Sequence, residues 1–339
     1  MNRRTFFETA GCLALARTGV AAGSPKLTLA CADYLRFTPL ATGDFRPKDL
    51  DLTWLRGDRS EMLRRAATDS GISGGEASML QHLLRVDQGD RSLVAVPVFP
   101  LRNFTARDIY MRKGDSFTPT ALDGRRVGVY SWAASGSVWY RHLLRHLGQD
   151  PAKMTWIVGG ADTPGKVDSR APLPPHVRDA PADRSLSDLL LAGEVDAVFA
   201  PIPLKKYHPV DGPIARLVPD FRSLERRYFE ETRCYPPQHA IVVRKEVWDG
   251  DPSIGGRLVA ALDECEERFQ QSQHLFPYGS PWLMAEVEET DLVLGRDHFA
   301  HGLEKNRSQI DVFCRSAFED GLTKRRVTVD EYFAEFLRA

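Results

Sequence analysis

The segment from residue 122 to residue 147 constrains the fold of this chain more than any other feature. Residues 122–130 predict a turn that leads into a short buried strand, residues 131–137 a small polar turn, and residues 138–147 an apolar helix. The first backbone N–H groups of such a helix lack partners, and the helix dipole favours negative charge there. We therefore predict a site for a carboxylate or another small anion; the competing interpretation is simple capping of the helix, which is compatible with ligand binding.

The order of strands and helices along the chain predicts an α/β fold with two lobes. A second buried strand follows the helix end at Gly193, and helical spacing dominates the chain beyond residue 252. We predict lobe 1 from residues 24–112 and 235–339 and lobe 2 from residues 113–234, each with a mixed, mostly parallel sheet flanked by helices, and a helical C-terminal extension. Ligands in open α/β sheets bind beyond the carboxyl ends of the strands, so we expect the site in the cleft between the lobes.

Composition narrows the class of partner. The chain has 339 residues and a net charge of −1, which argues against a nucleic-acid-binding surface. No internal run approaches the ~20 apolar residues that span a bilayer, so we expect no membrane span. The expected partner is a small molecule. A homo-oligomer is also possible. None of the five cysteines forms a C-x-x-C pair. His142 and His146 have metal-ligand spacing but lack the glutamate and third ligand of a zinc helix, so we expect no metal.

The N-terminus has the pattern of an export signal. Arg3 and Arg4 precede a mildly apolar run at 10–16 and small residues at 19–23. This arrangement is typical of a twin-arginine signal, which predicts that residues 1–23 direct the chain to the periplasm. Glu8 and Arg17 interrupt the pattern, and the competing interpretation is an ordinary N-terminus on a cytoplasmic protein.

Several motifs, in order and spacing, carry a resemblance to a known family. They are the segment 96–100 (Val-Pro-Val-Phe-Pro) with Arg102, the segment 281–290 (Pro-Trp-Leu-Met-Ala-Glu-Val-Glu-Glu-Thr), and the segment 302–306 (Gly-Leu-Glu-Lys-Asn). Over residues 27–337 the chain resembles the 4,5-dihydroxyphthalate decarboxylase family, which is similar to the type 2 periplasmic-binding-protein fold. The resemblance implies non-oxidative loss of one carboxylate from an ortho-dihydroxy aromatic diacid to give a catechol carboxylate of the protocatechuate type, with no organic cofactor.

Such a reaction needs cations that bind the diacid and an acid that protonates the ring carbon. Arginine binds a carboxylate best because its guanidinium is bidentate. Arg102 is our first choice because it lies in a specific motif, and Arg36 and Arg107 also follow predicted strands; each could instead be an arginine paired with a nearby acid. Further substrate-binding candidates are the polar residues Ser78, Ser131, Ser135 and Gly136 and the aromatic residues Tyr34, Phe99 and Tyr235, which could stack on a ring or belong to the core.

Three titratable residues are candidates for the chemistry. Glu76 follows a glycine-rich turn, where we expect it to be ionised and to accept a hydrogen bond from a catechol hydroxyl. His82 and His239 are candidate proton donors near neutral pH. His239 follows the break at Pro236 and Pro237 where the chain returns to lobe 1. The competing interpretations are a helix histidine bonded to backbone for His82 and a hinge residue for His239.

The sequence is therefore compatible with two functions. The first is a cofactor-independent decarboxylase of an aromatic ortho-dihydroxy carboxylate. The second is an exported substrate-binding protein that delivers a small aromatic carboxylate to a transporter permease. The motif matches favour the enzyme, and the export pattern favours the receptor.

Overall fold

The computed structural model describes residues 26–167, 171, 173–275 and 279–339. The predicted twin-arginine segment 1–23 lies outside these residues. The strands within the described residues are β1 (Lys26–Ala32), β2 (Asp51–Gly57), β3 (Gly74–Ser78), β4 (Leu93–Val96), β5 (Ile109–Arg112), β6 (Arg126–Val129), β7 (Thr155–Val158), β8 (Val177–Asp179), β9 (Ala197–Phe199), β10 (Ile214–Arg216) and β11 (His239–Arg244). The helices are α1 (Thr38–Thr42), α2 (Arg59–Thr68), α3 (Met79–Asp87), α4 (Ser135–His146), α5 (Leu186–Leu191), α6 (Phe221–Thr232), α7 (Lys245–Gly250), α8 (Ile254–Leu275), α9 (Leu283–Leu294), α10 (Arg307–Glu319) and α11 (Val329–Tyr332).

The strands form two separate sheets, one in each lobe. The first has the order β2-β1-β3-β11-β4 and the second the order β10-β5-β9-β6-β7-β8. Pairing within each sheet is parallel except around one strand, β11 in the first sheet and β5 in the second. The predicted α/β fold, with two mixed and mostly parallel sheets and a helical C-terminal segment, is confirmed.

The predicted boundary at residues 112 and 113 is wrong. Strand β5 pairs with β9 and β10 and so belongs to lobe 2. The chain therefore leaves lobe 1 between β4 and β5, and it returns between α6 and β11. An isolated bridge between Arg102 and Pro237 places the two crossings side by side. These crossings form the floor between the lobes.

Close strand packing explains the two glycines at the start of β3. Gly74 and Gly75 have φ angles of 152° and 154°. A Cβ atom on Gly75 would lie 2.0 Å from the carbonyl oxygen of Ala30, and one on Gly74 would lie 2.1 Å from that of Val242. Only glycine fits between these two neighbouring strands. The glycine pair thus fixes β3 in the centre of its sheet and, with it, the position of Glu76.

The C-terminal helices join the two lobes. Helix α10 packs against α4 of lobe 2, and α11 packs against α3 of lobe 1. One apolar core contains Leu83 of α3, Trp139 of α4 and Phe313 of α10. A buried ion pair between Arg141 and Asp320 strengthens the contact, with a Nε–Oδ2 distance of 2.6 Å. Among the described helices, none combines the length and apolar character needed to cross a membrane.

Candidate active site

A cleft of about 700 Å³ opens where the carboxyl ends of the parallel strands of both lobes face each other. Its walls combine polar side chains with small apolar residues, as expected for a site that binds a small molecule. Seven of the residues predicted from the sequence line it: Ser78, Arg102, Arg107, Ser131, Ser135, Gly136 and His239. The prediction missed other lining residues: Arg59, Gln81, Asn103, Tyr130, Asp162 and Gln238.

His239 presents its imidazole to the cleft and is held from behind by Glu76. Its Nδ1 lies 2.5 Å from Oε1 of Glu76. Strands β3 and β11 are antiparallel neighbours that pair His239 with Ser78 and Ile241 with Glu76, so the two side chains are diagonal neighbours on one face. With Nδ1 bonded to the carboxylate, Nε2 is the ring nitrogen left to meet a ligand. The pair can hold, donate or accept one proton at Nε2.

Glu76 is an ionised, buried carboxylate that lies behind the cleft. It has no exposed surface, and its oxygens accept bonds from the hydroxyl of Tyr34 at 2.7 Å and the backbone N–H of Ala32 at 2.8 Å as well as from His239. Burial alone would raise its pKa, but the bonds and charge of His239 and these neighbours outweigh burial and lower the pKa of Glu76 to about 2. The predicted bond from Glu76 to a catechol hydroxyl is therefore wrong, since its oxygens are already occupied.

The start of α4 closes the cleft from lobe 2. The hydroxyl of Ser135 lies 2.8 Å from that of Ser78 and also accepts the backbone N–H of Leu80 at 3.1 Å, which ties α4 to lobe 1. A Cβ atom on Gly136 would lie 3.1 Å from the hydroxyl of Tyr130 and 3.2 Å from Oε1 of Gln238. Glycine at this position therefore leaves room for a ligand at the positive end of the helix dipole.

Two of the three predicted carboxylate-binding arginines are committed elsewhere. Arg36 is buried, and its Nε lies 2.8 Å from Oε2 of Glu266. The guanidinium of Arg102 binds the carbonyl oxygens of Tyr235 and Ala300 and the side chain of Asn306. Burial lowers the pKa of Arg102 to about 10. Arg102 thus lines the cleft while its charged group fastens the hinge to the C-terminal segment, and Arg36 lies outside the cleft lining.

The accessible cations of the cleft are Arg107 and Arg59. Arg107 donates from Nε to Oδ1 of Asp108 at 2.9 Å, and its side chain is 41% exposed. Arg59 begins α2, where the N-cap Asp58 accepts a bond from the backbone N–H of Glu61. Arg59 was not among the predicted residues because a capped, polar helix start resembles that of any surface helix. The feature of the sequence that could have indicated a role for Arg59 in the site is its position just after the carboxyl end of β2.

The remaining predicted residues lie outside the cleft lining. His82 is buried, and its ring packs edge-on against Tyr332 with centroids 4.8 Å apart; the predicted proton donor is wrong at this position. Phe99 is a core residue that packs against Phe333, and Tyr235 packs against Phe104 behind the hinge. Tyr34 supports Glu76 instead of stacking in the cleft. In the described part of the chain, no group of three or more His, Cys, Asp or Glu side chains could hold a metal ion.

Two proteins named 4,5-dihydroxyphthalate decarboxylase are similar to this chain. The protein from Comamonas testosteroni is 26% identical over 320 residues, which cover 91% of this chain and 96% of that protein. The protein from Pseudomonas putida is 30% identical over 192 residues, which cover 55% of this chain and 74% of that protein. No family model matches the chain.

Solved structures agree on the architecture. The periplasmic aliphatic sulphonate binding protein SsuA from Escherichia coli superposes with a TM-score of 0.51 at 15% identity and covers 91% of both chains. The alkanesulfonate-binding protein SsuA from Xanthomonas axonopodis pv. citri, bound to MOPS, gives a TM-score of 0.52 at 15% identity and covers 92% of this chain and 99% of that chain. At this identity the similarity defines the fold alone, and it is the predicted periplasmic-binding-protein fold.

Proposed function

We propose, because the chain belongs to the 4,5-dihydroxyphthalate decarboxylase family, that this enzyme removes one carboxylate from an ortho-dihydroxy aromatic diacid without oxidation. The observation that carries the proposal is the pair formed by His239 and Glu76 at the wall of the cleft. The ionised carboxylate accepts a hydrogen bond from Nδ1 of the imidazole and so fixes the orientation of the ring. Because Nδ1 keeps its proton for this bond, Nε2 is the ring nitrogen that gains and loses the proton facing the substrate.

The imidazolium then acts as the general acid. The ring hydroxyl para to the departing carboxylate supplies electron density, and the proton on Nε2 of His239 forms a new C–H bond at the carbon that carries this carboxylate. The bond from that carbon to the carboxylate breaks, its electron pair restores the aromatic ring, and CO2 leaves. Neutral His239 regains its proton from solvent. The sum is one diacid and one proton converted to one catechol carboxylate and CO2, so the reaction needs no oxidant.

The cleft supplies the other requirements of this step. The start of α4 at Ser135 and Gly136 offers the positive end of a helix dipole to an anionic substrate. The small apolar side chains of Ala133, Ala134 and Ala200 also line the cleft. An apolar wall beside a departing carboxylate favours its conversion to neutral CO2, because the charge is lost in the transition state. Glu76 does not contact the substrate in this mechanism; it positions His239.

Incubation with 4,5-dihydroxyphthalate tests the proposal. Purified protein should release CO2 and form the monoacid product in equal amounts, and the rate should fall in His239→Gln. His82→Gln is the matched control, because His82 is a buried histidine outside the cleft lining. Stoichiometric binding of the diacid with no CO2 release would refute the decarboxylase.

The alternative is a substrate-binding protein that serves a transporter. Such a receptor works by moving two lobes apart and together around its ligand. Here the lobes share an apolar core and the buried pair of Arg141 and Asp320, which favours a fixed cleft and therefore an enzyme. Binding without turnover, together with a measurable change in lobe separation on ligand addition by small-angle scattering, would support the receptor instead.

We also propose that the chain is exported through its twin-arginine segment. The support is the sequence pattern at Arg3 and Arg4. Cell fractionation tests it: the protein should be found in the periplasm, and replacement of both arginines by lysine should retain it in the cytoplasm. Equal distribution of both forms would refute export by this route.

A further inference from the structure

We propose that Arg59 binds the carboxylate that stays on the ring, and that this contact makes the enzyme select an ortho-diacid over a monoacid. The inference rests on the proposed decarboxylase function and adds a substrate-binding residue to it. The guanidinium of Arg59 is available, it lies near His239, and the retained carboxylate is the group whose binding a cation strengthens.

Arg59 differs from the other arginines near the cleft because its guanidinium is available to bind a ligand. Arg36 and Arg102 are buried and bonded to Glu266 and to the C-terminal segment, and Arg107 shares its Nε with Asp108. Arg59 is exposed and forms no ion pair with any acid in the described part of the chain. Its guanidinium carbon lies 5.9 Å from the ring centroid of Tyr34. It is therefore free to form a bidentate contact with a carboxylate.

A short chain of contacts links Arg59 to the proton donor. The ring of Tyr34 lies beside the guanidinium of Arg59, and the hydroxyl of Tyr34 donates to Oε1 of Glu76 at 2.7 Å. The same oxygen lies 2.5 Å from Nδ1 of His239. Arg59 and His239 both line the cleft. Tyr130 of the opposite lobe lines the same cleft. Burial raises the pKa of Tyr130 to about 12, and the positive charge of Arg59 is one of the weaker influences that lower it.

The charge changes during the reaction indicate which of the two substrate carboxylates should bind Arg59. The departing carboxylate loses its charge as CO2 forms, so a guanidinium bound to it would stabilise the ground state more than the transition state. The retained carboxylate keeps its charge throughout and can be held tightly without such a penalty. In an ortho-diacid the two groups are on adjacent ring carbons, so a cation beside the proton donor binds one group while the other lies in front of His239. A monoacid has no group for this cation.

Binding of phthalate and benzoate tests the inference without any need for turnover. Calorimetry on the full-length protein should show that the wild type binds phthalate more tightly than benzoate. Arg59→Gln should reduce this preference by about 10- to 100-fold, as expected for loss of a charged hydrogen-bonded pair worth about 1.5–3 kcal/mol. Arg59→Lys, which keeps the charge but not the bidentate geometry, should restore part of it. Arg64→Gln on the same helix, exposed and outside the cleft lining, should leave the preference unchanged.

The outcomes separate this inference from the proposed function. An unchanged preference in Arg59→Gln, or a wild type that does not prefer phthalate, would overturn the assignment of Arg59. A preference lost in Arg107→Gln and kept in Arg59→Gln would also overturn it, because it would assign the contact to Arg107. If Arg59→Gln removes the preference but the wild type never releases CO2, the carboxylate contact stands and the decarboxylase fails.

Discussion

Nδ1 of His239 lies 2.5 Å from Oε1 of Glu76, and the two residues are diagonal neighbours on adjoining antiparallel strands. Both strands lie in the centre of the first sheet, with β3 flanked by β1 and β11. The sheet therefore fixes the distance between the two side chains, and neither depends on a surface loop for its position. A titratable side chain held by a rigid sheet needs little reorganisation when a ligand binds.

Glu76→Gln should lower kcat by about 10²-fold or more while changing KM little, in line with the contribution of general acid catalysis. The amide keeps the shape of the side chain but not the negative charge that accepts the bond from Nδ1, so the imidazole of His239 is held less firmly. Steady-state kinetics measures the effect: kcat should fall while KM stays within a few fold of the wild type. An unchanged kcat would show that the charge of Glu76 is not needed to position His239.

His239→Gln should lower kcat by about 10²- to 10⁴-fold, because no other described residue in the cleft lining is a histidine. Binding of the substrate analogue phthalate should remain within a few fold of the wild type, since the accessible cations Arg59 and Arg107 and the start of α4 are untouched. Stopped-flow detection of CO2 would measure the loss in kcat, and calorimetry would measure the binding of phthalate. Loss of both together would indicate that the substitution disrupts the cleft itself.

Gly136→Ala should weaken binding of the diacid by about 10-fold or more, since even one misplaced contact in a fitted site has effects of this size. The added methyl would lie 3.1 Å from the hydroxyl of Tyr130 and 3.2 Å from Oε1 of Gln238, both of which line the cleft, so these groups must shift by a few tenths of an ångström. Calorimetry with phthalate measures the effect. Gly256→Ala is the control, because a Cβ atom there meets nothing within 4 Å.

Local sequence signals predicted the parts of the site that depend on local structure. The strand, turn and helix around Ser135 and Gly136 are encoded by neighbouring residues, and so is the position of His239 after the Pro236–Pro237 break. Arg102 was misjudged because its partners Ala300 and Asn306 are about two hundred residues away, and only tertiary packing decides where its guanidinium points. The boundary at β5 failed for a similar reason: its partner β9 lies far along the chain.

Arg141→Met should destabilise the protein by about 1.5–3 kcal/mol, because the buried Asp320 loses one of its two arginine partners and keeps only Arg145. Both side chains are almost fully buried, and Arg141 also lies over the ring of Trp132 at 3.9 Å. Chemical denaturation monitored by circular dichroism measures this loss. Arg315→Met removes an exposed arginine of α10 whose Nε lies 3.9 Å from Glu319, and it should change stability by less than about 1 kcal/mol.

His82→Leu should make the stability of the protein less sensitive to acid. Burial lowers the pKa of His82 to about 4, from the usual value of about 6.5. Between these values His82 is protonated in the unfolded chain but not in the folded chain. The wild type therefore loses stability as the pH falls from about 6.5 to about 4. The leucine has no such proton, and it fills the space against Tyr332 with an apolar side chain.

Thermal unfolding at a series of pH values measures the effect. The melting temperature should fall less steeply with decreasing pH in His82→Leu than in the wild type. Substitution of the exposed His208 by leucine is the control and should leave this pH dependence as in the wild type. Parallel curves for all three proteins would show that His82 does not titrate on unfolding.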